Sequence, residues 1–254
     1  MRNISMFVIS LVLALVLIAW PNTAGAVTDN FSDLNDSANP AWTRLNGLVA
    51  STGQTWDAST GQYRMTAQNN GFSNLGFVGS YVPQSFTGVV VEADIVSFID
   101  DAVAQGAPFG VGARLDGNNG FNLLKGYAYA YEPHAAGGLG EMVLYRINGA
   151  SLVDLGAQQV TLDTNKDYRF RLTVQGTQLH GQLFEIGGGM VAERFATDAT
   201  HASGFTGLFA YSQNPIPPVD VTWDNFSAQV VPEPATCLLV AFGTVLVALR
   251  RRRS

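Results

Sequence analysis

The segment YRFRLTVQGTQLHGQLFE, residues 168–185, opens with strict alternation of apolar and polar side chains. Alternation with a period of two predicts a strand that buries one face and exposes the other. Gln175-Gly176-Thr177 predicts a tight turn into QLHGQLFEI, and the glycines at 187–189 predict a turn into MVAERFAT. The segment and its continuation therefore predict a meander of antiparallel strands. The apolar face of the first strand carries Tyr168, Phe170, Leu172 and Val174, and the other face carries Arg169, Arg171 and Thr173.

Strand patterns continue outward in both directions. EMVLYRI and SLVDLGA flank Asn148-Gly149, a pair that favours a hairpin turn because both residues tolerate positive φ. No stretch sustains the three-to-four-residue period of a helix. Roughly ten to fourteen strands, with glycines at the joints, predict an all-β fold of two antiparallel sheets, a β-sandwich or jelly roll. The other predicted strands are GQYRMTA, TGVVVEADIVSF, FGVGARL, GYAYAYE, FTGLFAYS and VTWDNFSAQV.

The first 26 residues have the three regions of a secretory signal peptide. Arg2 precedes an apolar stretch from about Met6 to Trp20, and small residues end the segment at Ala24-Gly25-Ala26. This order predicts export with cleavage after Ala26. The alternative is an uncleaved membrane anchor.

The last 24 residues, 231–254, contain a Pro-Glu-Pro triplet, a short apolar span and four arginines. As a helix, Ala235 to Leu249 would extend roughly 22 Å, less than a hydrocarbon core of about 30 Å. The arginines at 250–253 would stay on the cytoplasmic side. With Pro232, Glu233 and Pro234, this tail resembles the PEP-CTERM sorting signal, although an ordinary tail anchor has similar parts.

That resemblance implies recognition by an exosortase, a membrane transpeptidase-like enzyme that removes the tail. The protein would be held in the inner membrane transiently and then passed to the cell surface or exopolysaccharide matrix of a Gram-negative bacterium.

Residues 27–230 remain as one domain once both ends are set aside. The only cysteine, Cys237, lies in the tail, so no disulfide can brace this domain. It carries nine Lys and Arg against nineteen Asp and Glu, a net charge of −10. Such a surface repels nucleic acid and favours neutral partners.

The two ends of the domain share a short pattern, DNFSD at 29–33 and WDNFSAQ at 223–229, which predicts adjacent antiparallel terminal strands. With Trp56 before GQYRMTA, the VVVEADI strand and the meander at 168–185, the element order resembles the concanavalin A-like lectin and glucanase jelly roll, including laminin-G-like domains. That resemblance implies two curved antiparallel sheets whose concave face often contacts sugars.

Some glucanases of this fold carry their catalytic carboxylates on one strand as E-x-D-x-x-E or a bulged variant, because retaining glycosidases need two carboxyl groups about 5–5.5 Å apart. Here Glu92 and Asp94 share a strand face, but Ser97 replaces the second glutamate. We expect a solvent-facing polar strand, or a cation site, rather than a catalytic pair. Other acids, including Glu132, Glu141, Glu185 and Glu193, cannot be paired from sequence.

Nucleophilic and metal chemistry receive little support. The three histidines (His134, His180 and His201) are far apart in sequence, no G-x-S-x-G motif occurs, and zinc-ligand spacing is absent. Oxygen-rich segments leave a structural calcium ion open, although each is also typical of a turn. These segments are Asp100-Asp101, Asp116-Gly117-Asn118-Asn119 and Asp224-Asn225.

The predicted carbohydrate-binding residues are Tyr127, Tyr129 and Tyr131, which occupy alternate positions of one strand. Aromatic faces with polar tips suit a sugar ring, whereas packing inside the sandwich is the alternative. Trp42 and Trp56 are expected in the core. The sequence thus predicts an exported, noncatalytic surface or matrix protein that binds polysaccharide. A glycan-active hydrolase or lyase, and a purely architectural role, remain alternatives.

Overall fold

Fifteen β-strands and no helix are present in the residues that the structure, a computed structural model, describes: 25–46, 53–67, 76–100, 108–117, 124–136, 139–149, 151–212 and 219–231. Described residues from Ala26 to Val231 belong to one compact unit. The first eight strands are β1 (Val27–Asp29), β2 (Thr43–Asn46), β3 (Thr55–Asp57), β4 (Tyr63–Ala67), β5 (Gly76–Phe86), β6 (Val89–Phe98), β7 (Phe109–Leu115) and β8 (Lys125–Ala136). The others are β9 (Leu139–Asn148), β10 (Ser151–Gln159), β11 (Tyr168–Gln175), β12 (Gln178–Glu185), β13 (Met190–Thr197), β14 (Gly204–Ser212) and β15 (Val219–Val230).

The strands form two antiparallel sheets. Sheet A has the order β13-β12-β11-β6-β15-β4-β3, with β1 also paired to β15. Sheet B has the order β10-β9-β8-β7-β14-β5-β2. The predicted all-β, two-sheet antiparallel sandwich is therefore confirmed.

The inner faces of the two sheets meet in an aromatic core. Strand β11 alternates between buried and half-buried residues throughout, as its sequence predicts. Its Phe170 lies 5.6 Å from Trp223 of β15 and 6.0 Å from Phe109 of sheet B, measured between ring centroids. The contact with Phe109 crosses the sandwich and places the apolar face of β11 inside.

Sheet B is apolar on its outer face as well. Leu45, Phe77, Ala128, Val143 and Phe209 belong to one hydrophobic cluster there, and each is at most 9% exposed. Both faces of β7 are buried for the same reason. Sheet A differs, because its outward side chains are mostly polar and partly exposed.

The two ends of the domain lie side by side, as predicted. Val27 pairs with Ala228, and Asp29 pairs with Phe226, in an antiparallel register. Trp42 is buried, as expected, and donates its indole N–H to Asp29 at 2.7 Å. Trp56 is half-buried at the margin and donates to the Gly79 carbonyl at 2.9 Å. The shared pattern at the two ends thus marks a real strand pairing.

Within the described ranges, no helix is long and apolar enough to cross a membrane. The predicted signal peptide lies outside the described residues up to Ala24, and so does the tail from Pro232, including the sorting motif Pro232, Glu233 and Pro234.

Candidate functional site

The three tyrosines predicted to bind sugar lie inside the sandwich. Tyr127, Tyr129 and Tyr131 are each 0% exposed, and the ring centroids of Tyr129 and Phe170 are 6.4 Å apart. The alternation was correct, but the tyrosine face of β8 points towards sheet A. Because rings without solvent contact cannot meet a ligand at the surface, the carbohydrate-binding prediction for these residues is corrected to a core role.

The hydroxyl groups of these tyrosines differ in their partners. Tyr127 donates to the Asp198 carboxylate at 2.8 Å and accepts the His201 N–H at 3.0 Å. Tyr131 donates to Asp100 at 3.0 Å. The Tyr129 hydroxyl is buried and has no hydrogen-bond partner among the residues that the structure describes. Burial raises the pKa of all three phenols, so they stay protonated at neutral pH.

Glu92 and Asp94 face outward from β6, and cationic partners stand opposite both. Asp94 pairs in register with Arg169, whose guanidinium contacts both carboxylate oxygens at 2.6 and 2.8 Å. Glu92 pairs in the same way with Arg171. These ion pairs join β6 to β11, which agrees with the expected polar strand face.

Strand register places six outward residues in one line across sheet A, which we call the polar row. Neighbouring members are cross-strand partners, and the line runs from the β13 edge through β12, β11, β6 and β15 to β1. Strands are spaced about 4.8 Å apart, so the five intervals extend about 24 Å. The row consists of Glu193, Gln182, Arg171, Glu92, Ser227 and Thr28.

A depression of about 550 Å³ lies at the β1 end of the polar row. Thr28 and Ser227 of the row contribute to its wall, together with side chains from the loop after β1 and from the end of β15. Its volume falls within the range of small-molecule sites. The lining residues are Thr28, Asp29, Asn30, Ser32, Asp33, Asn39, Asn225, Phe226 and Ser227.

Eight of the nine residues that line the depression carry a hydrogen-bonding side chain, and Phe226 is the exception. Asp29 is committed to the fold, since it accepts the Trp42 indole N–H and the Phe31 amide, both at 2.7 Å. Burial raises the pKa of Asp29. Asn30 and Asp33 are exposed and bond to neighbouring residues of their own loop. Carboxylates, amides and hydroxyls in this arrangement can bind a ligand rich in hydroxyl groups.

The sequence did not reveal a second arrangement, on the outer face of sheet B. Glu132 of β8 and Glu141 of β9 are direct cross-strand partners. The Tyr145 hydroxyl donates to Glu132. Burial raises the pKa of Glu132, with smaller contributions from Glu141 and Asp154. Only the strand register, which the sequence does not specify, could have identified this carboxylate pair.

The segments considered for calcium have local partners where they are described. The Asp116 carboxylate accepts the Lys125 N–H at 3.0 Å, and the Asp224 carboxylate accepts the Asn225 N–H at 2.7 Å. Asp101, Asn118 and Asn119 lie outside the described residues. Among the described residues, no group of three or more His, Cys, Asp or Glu side chains could hold a metal ion.

The histidines do not assemble into a catalytic group in the described structure. Burial lowers the pKa of His201, whose Nε2 lies 3.0 Å from the Ile147 carbonyl. His180 lies on the outer face of sheet A, with its Nε2 3.2 Å from the Glu193 carboxylate. The side chain of His134 is outside the described part.

Comparison with known proteins identifies the fold. No family model matches the chain, and no curated protein matches it. The lectin UEA-II in complex with galactose has a TM-score of 0.58 at 7% identity, covering 82% of this chain and 99% of its own.

Two other solved structures give the same result. A Bacillus subtilis protein of unknown function with a galectin-like fold has a TM-score of 0.56 at 11% identity, covering 84% of this chain and 99% of its own. The exoplasmic/lumenal domain of VIP36, in its Ca²⁺/Man3GlcNAc-bound form, has a TM-score of 0.56 at 10% identity, covering 82% and 89%. The described domain therefore has the lectin-like jelly-roll fold.

Proposed function

We propose that this protein is a noncatalytic carbohydrate-binding β-sandwich and that the depression beside β1 and β15 is its binding site. The observation that carries the proposal is this 550 Å³ depression, in which eight of the nine lining residues have hydrogen-bonding side chains and which includes the outward residues Thr28 and Ser227 of sheet A. The galactose-bound lectin of the same fold supports the choice of ligand by analogy of fold alone.

The charge distribution favours a neutral sugar. Glu92 and Asp94 face Arg171 and Arg169, so the arginines near the depression are already engaged by carboxylates. The domain carries a net charge of −10, which would repel an acidic polymer. A neutral glycan can bond to the amides and hydroxyls of the depression without this repulsion.

A matched pair of aspartates tests the proposed site. Asp33 and Asp163 are both exposed, and each carboxylate accepts the backbone N–H two residues later, at 3.3 and 3.0 Å. Asp33 lines the depression, whereas Asp163 precedes β11. On a glycan array that captures the parent protein, we expect D33A to weaken binding and D163A to bind as the parent does. Equal binding by both variants would refute this site.

We further propose that the chain is exported and sorted by an exosortase to the cell surface or extracellular matrix. The support is the N-terminal signal-peptide pattern and the resemblance of the tail to the PEP-CTERM signal. Mass spectrometry of surface material should find protein that lacks residues 237–254. Recovery of the intact C-terminus would contradict this sorting.

A structural calcium ion remains a prediction. The described residues supply no group of carboxylates for it, but Asp101, Asn118 and Asn119 are outside that part of the chain. We expect that a structural ion would raise the melting temperature in CaCl₂ more than in MgCl₂, because Ca²⁺ accepts irregular oxygen geometry. Identical melting curves in the two salts would oppose the prediction.

Glycan hydrolysis is the second candidate, favoured by the cross-strand pair of Glu132 and Glu141. Direct cross-strand partners have Cβ atoms about 4.5–5.5 Å apart, close enough for two carboxyl groups to act on one bond. The raised pKa of Glu132 suits a general acid. New reducing ends produced from a glucan panel by the parent, and lost in E132Q, would establish this activity. Binding without products would favour the noncatalytic function.

A further inference from the structure

An exposed aromatic ring lies next to the Glu193 end of the polar row, two residues along β13 at the edge of sheet A. Phe195 is 66% exposed, and it is the cross-strand partner of His180. The two rings stack with centroids 3.9 Å apart and an interplanar angle of 13°. Because His180 covers one face of the phenyl ring, the solvent-exposed surface of Phe195 is chiefly its edge and its opposite face.

The exposed Phe195 ring offers an apolar surface to a ligand. Phenylalanine is usually buried, and aromatic residues are enriched at the surfaces through which proteins contact partners. The imidazole beneath the ring holds it in place, so little conformational freedom remains to be lost on binding. Phe195 is therefore a preorganised platform on the face that carries the depression.

The polar groups near this platform are paired with one another. The His180 Nε2 lies 3.2 Å from the Glu193 carboxylate, and Arg171 bonds to Glu92. The Arg171 guanidinium also lies 5.0 Å from the centroid of the Phe184 ring. Side chains held in this way present polar edges without a strong local field, which suits a neutral ligand.

We infer that a linear neutral polysaccharide lies across the strands of sheet A, from the depression to the Phe195 ring. The inference rests on the proposed function and adds a second subsite to it, about 24 Å away along the polar row. A sugar ring stacks on Phe195 at this subsite, and sugars between the two ends contact Arg171 and Gln182. Short oligosaccharides fill the depression alone, whereas long ones contact both subsites.

The test compares affinity for short and long members of one oligosaccharide series, chosen from a neutral polymer that the parent protein binds. In F195A we expect the dissociation constant for long members to rise roughly threefold to tenfold, from the loss of one aromatic contact. Disaccharides should bind F195A as they bind the parent. F195Y keeps the ring and should restore the affinity for long members.

L139A is the matched control, because Leu139 is 49% exposed and lies at the start of β9 in sheet B. It should bind both short and long members as the parent does. The urea midpoint of F195A should lie only slightly below the parent's, since the ring stacks on His180 but is otherwise largely in solvent.

The outcomes separate the two proposals. Parental affinity of F195A for long members, with D33A still defective, overturns the second subsite and leaves the depression intact. An equal loss of affinity for short and long members also overturns it. Phe195 would then affect binding in the depression, which short members fill, and not a second subsite that only long members reach. Failure of the parent to bind any glycan overturns the proposed function and this inference together.

Discussion

Replacing each buried tyrosine of β8 by phenylalanine separates a hydroxyl that stabilises the fold from one that does not. Each substitution removes one oxygen atom and leaves the buried ring in place. The Tyr127 hydroxyl bonds to a carboxylate at 2.8 Å, and the Tyr131 hydroxyl bonds to another at 3.0 Å. The Tyr129 hydroxyl is also buried and has no partner within the described part of the chain. Y127F and Y131F each lose the bond to a carboxylate and one accepted from a backbone N–H, of His201 and Leu162 respectively, whereas Y129F loses none among the described residues.

The hydrogen-bond partners of each hydroxyl set the expected change in the free energy of unfolding. A hydrogen bond to a charged group contributes about 1.5–3 kcal/mol, so Y127F and Y131F should lower the free energy of unfolding by roughly that amount. An unsatisfied buried polar group costs about 1–3 kcal/mol, so Y129F should leave the free energy of unfolding unchanged or raise it by about 1 kcal/mol. The predicted order of stability is Y129F first, then the parent, then Y127F and Y131F.

Urea unfolding of the purified proteins, followed by tryptophan fluorescence, gives the three differences directly. All three variants should keep the parent's glycan binding, because the rings have no exposed surface. A loss of 1 kcal/mol or more in Y129F would refute the reasoning, since it would show that the hydroxyl has a partner such as an ordered water. If any variant lost glycan binding while its stability stayed unchanged, the prediction that Tyr127, Tyr129 and Tyr131 bind carbohydrate would be supported after all.

Three further predictions concern packing and pH. G181A should lose about 1–3 kcal/mol of stability, because an added Cβ would lie 2.3 Å from the Tyr129 ring, and urea unfolding would measure the loss. E132Q should have a higher melting temperature than the parent at pH 7 and a similar one below pH 4.5: the raised pKa of Glu132 makes its stabilising contribution complete at low pH and lost as pH rises. D198N should melt below the parent at pH 7, and the difference should shrink as pH falls below 3.8. Burial opposes the ionised Asp198 carboxylate, but hydrogen bonds from Thr200, Tyr127 and Arg146 outweigh burial and lower its pKa.

Most strands could be predicted from sequence, because half-buried strands carry the two-residue period. Strands β7 and β13 match the predicted segments FGVGARL and MVAERFAT residue for residue. Strand β5 was missed. It contains Pro83, and its pairing with β14 shifts register between Gly204 and Thr206, where the partners jump from Phe86 to Val82. Proline at such an irregularity removes no ladder hydrogen bond, so the strand tolerates a residue that argues against strands in sequence.

The face of β8 could not be predicted, and the reason is specific to sheet B. Alternation of Tyr127, Tyr129 and Tyr131 with Ala128 and Ala130 shows that the strand has two faces but not which one points inward. In a sheet with one solvated face, polar residues would mark the face that points towards solvent. Here Ala128 and Ala130 are buried too, within the outer cluster of sheet B, so neither the tyrosines nor the alanines carry a polar signal.

The same contrast between the sheets supports the location of the proposed site. An outer face made of buried apolar side chains, as in sheet B, offers few groups that can bond to sugar hydroxyls apart from the Glu132 region. The outer face of sheet A has the opposite character, because Glu92 pairs with Arg171 and the buried Asp94 pairs with Arg169, with both guanidinium groups partly exposed. Paired charges keep that face hydrated while leaving it without a strong field. A weakly charged, hydrated surface with a polar depression at one end and an open ring at the other suits a neutral glycan better than any apolar or ionic ligand.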